Sequence, residues 1–113
     1  MRTSEIRFTI TLDDNNVPEQ IHWRAADAPG GGQQETPAIA LALWDQHDKS
    51  TMKIDLWTKE MPVGEMKRFL IGTIGSLADT LENATDDMSM AGDIRELCER
   101  LSKKLADQEK TQE

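Results

Sequence analysis

The stretch that decides the fold is AIALALWDQHDKSTMKIDLWT, residues 38–58. Its two ends are apolar, and the polar residues 45–50 between them predict a connecting loop. Alanine and leucine favour a helix over residues 38–44. That segment is nevertheless short for a helix, and residues 52–58 have the composition of a strand. We therefore predict a β-hairpin, with a helix over residues 38–44 as the alternative.

The hairpin has two faces of different composition. The predicted core face, here called the leucine face, carries Ile39, Leu41 and Leu43 opposite Leu56, Ile54 and Met52. The alternate residues form the second face, here called the tryptophan face, whose candidate interaction residues are Trp44, Trp57, Ala40, Ala42, Lys53 and Asp55. An outer strand face is ordinarily polar, so two tryptophans beside alanines predict a docking surface for a partner or a second copy. The alternatives are a buried helix, or coverage by the glycine-rich loop.

Two further strands precede the hairpin. Between Ser4 and Leu12 apolar and polar residues alternate, and residues 13–16 then break the strand with turn-forming side chains. A second strand follows from Ile21, with Ile21, Trp23 and Ala25 on one face. The segment DAPGGGQQET, residues 27–36, predicts a flexible loop within one domain.

After Pro62 the apolar period becomes helical. The first predicted helix has its apolar stripe at Val63, Met66, Leu70, Ile74, Leu77 and Leu81. The second has Met90, Ile94, Leu97, Leu101 and Leu105 facing inward, with Asp86 or Asp87 as the N-cap. The predicted fold is α+β: a two-layer sandwich in which a four-stranded antiparallel meander is followed by two C-terminal helices packed on one face. We expect one domain over residues 1–107 and a disordered polar tail over residues 108–113.

Composition excludes several classes of function. The chain has 113 residues and a formal net charge of −8, which argues against binding to nucleic acid or to anionic lipid. The single cysteine excludes an intrachain disulfide, and no apolar run approaches the length of a membrane span. The N-terminal residues lack the apolar core of a secretory signal. We therefore expect a cytoplasmic protein that does not insert into a membrane.

Few residues point to catalysis or metal binding. His22 and His47 have no companion at metal-ligand spacing, and Cys98 lies beside the helical stripe, where a buried, inert thiol is expected. The triplet Gly30, Gly31 and Gly32 lacks the Lys-Ser/Thr pair that completes a phosphate loop. In a four-stranded meander, Asp13 and Asp14 would lie near Asp45 and Asp48, but turn-forming aspartates explain these four better than a divalent cation does. We predict no catalytic residue, no cofactor and no metal ligand.

Three segments resemble the gliding-motility protein GldC family of Bacteroidota. They are TSEIRFTITLDDNNVPEQIHW at 3–23, WDQHDKSTMKIDLWTKEMPVGEMKRF at 44–69 and ADTLENATDD at 78–87. The block STMKIDLWTKEMPVGEMKRF is the most specific of them. The resemblance implies a cytoplasmic accessory protein that supports gliding, in organisms whose motility machinery is coupled to type IX secretion, and it supplies no catalytic residues.

Three classes of function follow, in order of preference. The first is a non-enzymatic protein that acts through contacts of the tryptophan face with a partner of the gliding machinery, or with a second copy as a homodimer. The second is a small-ligand or metal-binding module with a pocket between sheet and helices, where Gly72 and Gly75 would leave room for a ligand. An enzyme is third.

Overall fold

A computed structural model describes residues 1–26 and 32–111. Its strands are β1 (Ile6–Leu12), β2 (Pro18–Ala25), β3 (Gln34–Thr36), β4 (Ala38–Asp45) and β5 (Ser50–Trp57), and its helices are α1 (Val63–Thr85) and α2 (Met88–Thr111). The strands belong to one unit, Met1–Met61, and the helices to another, Pro62–Glu113. The predicted α+β class is confirmed. The predicted single domain over residues 1–107, with its helices packed on the sheet, stays a prediction.

The first sheet has the order β1-β2-β3, and its neighbouring strands are antiparallel. Alternation along β1 and β2 is as predicted: Phe8 pairs with Trp23 and Ile10 pairs with Ile21, so the apolar residues of both strands share one face. Ile21 has no exposed surface at all, and it is the only large side chain among the described residues that is fully buried. The core of this unit is therefore centred on β2.

The prediction of one four-stranded sheet is wrong, because residues 34–36, which were predicted to belong to a flexible loop, form the short strand β3 before Pro37. Strand β3 pairs with β2, whereas β4, on the other side of Pro37, pairs with β5 in a separate two-stranded sheet. Proline has no backbone N–H to donate to a strand ladder, so an interruption at this position costs no hydrogen bond. The glycine-rich segment leading into β3 is mostly outside the described residues, since only Gly32 of the triplet is described.

Two backbone hydrogen bonds fix the base of the β4–β5 hairpin, one that closes the hairpin itself and one that links it to the first sheet. The N–H of Thr58 donates to the carbonyl of Pro37 over 2.8 Å, and the N–H of Lys59 donates to the carbonyl of Pro18 over 3.2 Å. The Lys59 ammonium also lies 3.0 Å from Asp13 Oδ2 and 3.3 Å from Glu19 Oε1. The hairpin is thus fixed at its base, next to the β1–β2 turn.

Asp13 organises the β1–β2 turn. Its Oδ1 accepts the backbone N–H of Asn15 over 2.8 Å and that of Val17 over 2.9 Å, and Asn16 takes a left-handed φ of 63°. The hydrogen bond from Val17, followed by that from Lys59, lowers the pKa of the Asp13 carboxyl below its ordinary value of 3.8. Both interactions favour the charged carboxylate over the neutral acid.

Asp13→Asn is expected to lower the melting temperature at neutral pH, and the difference from wild type should shrink as the pH falls through the lowered pKa of the folded state. A carboxyl whose pKa is lowered by folding stabilises the protein above its unfolded pKa, and this contribution is lost as the pH falls through the folded pKa. Melting should be followed by tryptophan fluorescence, with Asp14→Asn as the neighbouring control. A difference from wild type that is as large at pH 2 as at neutral pH would show that the carboxylate charge plays no part.

Helices α1 and α2 form a hairpin joined by Asp86 and Asp87. Asp86 ends α1 in the left-handed conformation, with φ at 59°, and its N–H donates to the Glu82 carbonyl over 2.8 Å. The Asp87 carboxylate accepts the N–H of Met90 over 2.9 Å, so Asp87 is the N-cap of α2. Of the two predicted capping residues, the structure thus assigns the cap to Asp87.

The helices contact each other along a narrow stripe. Ala78, Ala91 and Leu105 are buried, and Arg95 of α2 bridges Asp79 and Glu82 of α1. The rest of the predicted apolar stripes is less covered than expected: five residues are exposed, namely Val63, Leu70, Leu77, Met90 and Leu97. The small residues Ala78 and Ala91 lie at this contact.

Helix α2 also extends further than predicted. Residues 108–111 were expected to be part of a disordered tail, but α2 continues through Thr111, whose hydroxyl donates to the Asp107 carbonyl over 2.7 Å. Lys67 of α1 donates to the side chain of Gln108, and Arg68 pairs with Glu109. These polar links support a last turn that has no apolar residue. Residues 112 and 113 lie outside the described residues.

Candidate interaction surface

The β4–β5 pairing places the candidate residues on one face in four rows. The rows pair Ala38 with Trp57, Ala40 with Asp55, Ala42 with Lys53, and Trp44 with Thr51. The predicted hairpin and its register are both confirmed, and the alternative of a helix over residues 38–44 is wrong. Strand parity decides this grouping, since a shift of one residue would exchange the two faces.

Both tryptophans of this face are exposed. Trp44 retains 61% of its accessible surface and Trp57 retains 55%. They stand in the first and last rows, and the alanines and the two charged side chains lie between them. Ala40 is half-buried, Ala42 is exposed and Ala38 is buried, so the open part of the face runs from Trp44 to Asp55 and Trp57. The tryptophan face is therefore an apolar surface with charges only in its middle rows.

The two charges in the middle of the face are paired with each other. Lys53 Nζ lies 2.7 Å from Asp55 Oδ1, and the two side chains are 45% and 44% exposed. An ion pair this exposed contributes little to stability, typically about 0–1 kcal/mol. Its main effect is to give the centre of the face one positive and one negative group, which a partner can recognise.

The leucine face is more open than the sequence predicted. Leu43 and Met52 are each 53% exposed and Ile54 is 44% exposed, whereas Ile39, Leu41 and Leu56 are half-buried. Alternation tells which residues share a face, but not whether another element covers that face. The end of the hairpin near residues 43 and 52 thus presents apolar side chains on both faces, which sequence reasoning missed.

The turn at that end of the hairpin is held by Asp45. Its Oδ1 accepts the backbone N–H of His47 over 3.0 Å and that of Asp48 over 3.3 Å, and Lys49 takes a left-handed φ of 55°. His47 Nδ1 lies 3.0 Å from Asp48 Oδ1 on an open surface. These are turn-forming roles, as the sequence predicted for the aspartates.

The remaining candidate residues are dispersed. His22 lies opposite Thr9 and Glu35 in the first sheet. Cys98 was expected to be buried, but it is half-buried. Its thiol lies 3.8 Å from the Ile71 carbonyl. Asp13 pairs with Lys59, while Asp45 serves the other hairpin's turn. Among residues 1–26 and 32–111, no three His, Cys, Asp or Glu side chains converge as a metal site would require.

The two helix glycines of the ligand-pocket hypothesis differ in their surroundings. A Cβ on Gly75 would lie 3.7 Å from Cys98 Sγ, which is an ordinary van der Waals contact, so this position leaves no room for a ligand. A Cβ on Gly72 would meet no atom within 4 Å, and this residue borders a shallow depression whose lining includes the polar residues Arg68, Ser102 and Glu109.

Comparison with known families gives the identity that the resemblance implied. The model of the family described as gliding motility-associated protein GldC-like matches residues 18–107, which include both strands of the hairpin and most of the two helices. The chain belongs to the GldC-like family. The matched region contains every residue of the tryptophan face. The search of curated proteins and the search of solved structures each returned no match.

Neither helix of this GldC-like chain has the length and apolar character of a membrane span, within the part that the structure describes.

Proposed function

We propose that this GldC-like chain is a non-enzymatic accessory protein of gliding motility that works in the cytoplasm by binding protein partners through its tryptophan face. The machinery it would serve is that of gliding organisms with type IX secretion. The family match supports the link with motility. The observation that carries the binding role is the exposure of Trp44 and Trp57, by 61% and 55%, on the same face of a two-stranded sheet.

Exposed tryptophans are costly to leave in water. Each aromatic side chain buries about 150–250 Å² when it is covered, and tryptophan is enriched among the residues that dominate binding energy at protein interfaces. A two-stranded sheet is also marginally stable on its own, and a third layer or strand would stabilise it. Binding of a partner to the tryptophan face supplies that layer. The charged groups of the face already satisfy each other, which suits recognition better than catalysis.

Photo-cross-linking in a gliding cell tests this proposal. A photoreactive amino acid at position 42 lies in the middle of the tryptophan face, opposite Lys53. The matched control is position 11, an exposed residue on β1 opposite Gln20. We expect adducts with one or a few protein partners from position 42 and none of these from position 11.

Adducts that form equally from both positions, or only from position 11, would contradict the proposal. The cross-linked partners should include a component of the gliding machinery, because the family is associated with that process.

A further inference from the structure

The tryptophan face is complementary to a second copy of itself whose strands run in the opposite direction. From the free end of the hairpin to its base, the four rows carry Trp44 with Thr51, then Ala42 with Lys53, then Ala40 with Asp55, then Ala38 with Trp57. Large aromatic residues stand at both ends, and small residues with one charge of each sign stand in the middle. An isologous interface requires this property, since the same patch must meet itself.

We propose that the partner of the tryptophan face is a second copy of this chain, stacked face to face with its strands running in the opposite direction. The two-fold axis would lie between the two middle rows and perpendicular to the strands. This inference rests on the proposed function, because it names the first partner of the same surface.

Charge selects this arrangement among the symmetric ones. When the strands of the second copy run in the opposite direction, β5 of one copy lies over β5 of the other. Lys53 of the first copy is then above Asp55 of the second, and Asp55 of the first is above Lys53 of the second. A two-fold axis parallel to the strands would instead place Lys53 above Ala42 and leave both charges without an opposite charge across the interface. Complementary charges at an interface fix its register and suppress other arrangements.

Side-chain size agrees with the same arrangement. The middle rows bring Ala42 of one copy over Ala40 of the other, which lets two sheets approach to about the usual 10 Å separation. Trp44 of one copy then lies over Ala38 of the other, and Trp57 lies over Thr51, so each large side chain faces a smaller one. The tryptophans would flank the two charge pairs at both ends of the interface.

The area of the face predicts a transient dimer. The flat footprint of two eight-residue strands is roughly 260 Å² per copy, given about 3.4 Å per residue and about 4.8 Å per strand, and the exposed tryptophan side chains add accessible area to it. Stable interfaces bury about 800 Å² per partner, so self-association should depend on concentration in the micromolar range or above. The leucine face has no charge in its middle rows, so it offers no comparable reason to choose a second copy.

Sedimentation of wild type and charge variants tests the inference. Wild type should shift from monomer to dimer between low micromolar and near-millimolar concentration, with a blue shift of tryptophan emission. Lys53→Glu alone and Asp55→Lys alone should each weaken association at least about tenfold, because each puts like charges in contact. An equimolar mixture of the two variants should associate like wild type, since each variant then meets its opposite charges.

A doubly exchanged chain, Lys53→Asp with Asp55→Lys, should also associate like wild type, and circular dichroism checks that every variant is folded. A monomer at all concentrations would overturn the inference, and so would dimerisation that the single variants leave unchanged. Weakened single variants that the mixture does not rescue would overturn the reversed arrangement. The proposed function is tested separately. If one of these negative results were found while position 42 still cross-linked to another protein, the dimer would be wrong and the proposed function would be supported.

Discussion

Ile21→Ala is expected to destabilise the strand unit by about 2–5 kcal/mol, the range for truncating a buried isoleucine to alanine. Ile21 has no exposed surface and is the only fully buried large side chain among the described residues, so its truncation removes apolar contacts from the centre of this core. For a chain of this size the melting temperature should fall by roughly 10–25 °C. All three tryptophans lie within Met1–Met61, so tryptophan fluorescence reports on this unit.

The matched control is Ile6→Ala, which removes the same atoms from the same sheet. Ile6 is 68% exposed, and we expect a change of less than about 1 kcal/mol. If the two variants melt within a few degrees of each other, the strand unit is not centred on Ile21. A large loss for both would show that the exposed end of β1 is covered in solution.

The features of the sheet that the sequence predicted well are those that strand parity determines. Side chains alternate between the two faces of a strand, so the sequence shows which residues share a face. The loop that begins at Asp45 determines which residues of the two strands lie opposite each other. The pairs Leu41 with Ile54 and Leu43 with Met52 follow from these two facts. The same parity assembled the tryptophan face from two separate stretches of sequence. No tertiary information was needed for either result.

The division into two sheets could not be predicted in the same way. Pro37 is visible in the sequence, but its effect depends on which strand accepts residues 34–36, and that pairing with β2 is a long-range contact. The exposure of Leu43 and Met52 on the leucine face was missed for a related reason. Leu43 and Met52 alternate like core residues, yet alternation carries no information on the element that would cover them.

The end of α2 shows a different limit. An apolar stripe marks the part of a helix that packs, and it ends before residues 108–111, which are Gln, Glu, Lys and Thr. Glutamine, glutamate and lysine are nevertheless good helix formers, and links from α1 to Gln108 and Glu109 hold the turn. The polar composition was therefore compatible with a helix as well as with a tail.

The second large effect is expected from removing the apolar character of the tryptophan face. Trp57→Ala with Ala42→Glu deletes a side chain that is 55% exposed and adds a carboxylate to the middle of the face. Loss of a tryptophan that contributes strongly to an interface costs about 2 kcal/mol or more, which is about a thirtyfold loss of affinity. Both positions are open to water, so the fold should be retained.

The control for this variant makes the same kind of change on the other sheet. Ile6→Ala with Thr11→Glu removes an exposed aliphatic side chain from β1 and adds one carboxylate to the same strand. Both double variants should match wild type in circular dichroism and in cellular abundance. A difference between them in cells then reports on the tryptophan face and not on folding or charge.

Colony spreading of a gliding bacterium that lacks its own copy of this protein is the most direct test of the central claim, that the tryptophan face carries the function. Wild type and the Ile6→Ala, Thr11→Glu control should restore spreading, and Trp57→Ala, Ala42→Glu should leave the colony close to the uncomplemented strain. Full spreading with a folded, normally abundant Trp57→Ala, Ala42→Glu protein would contradict the claim.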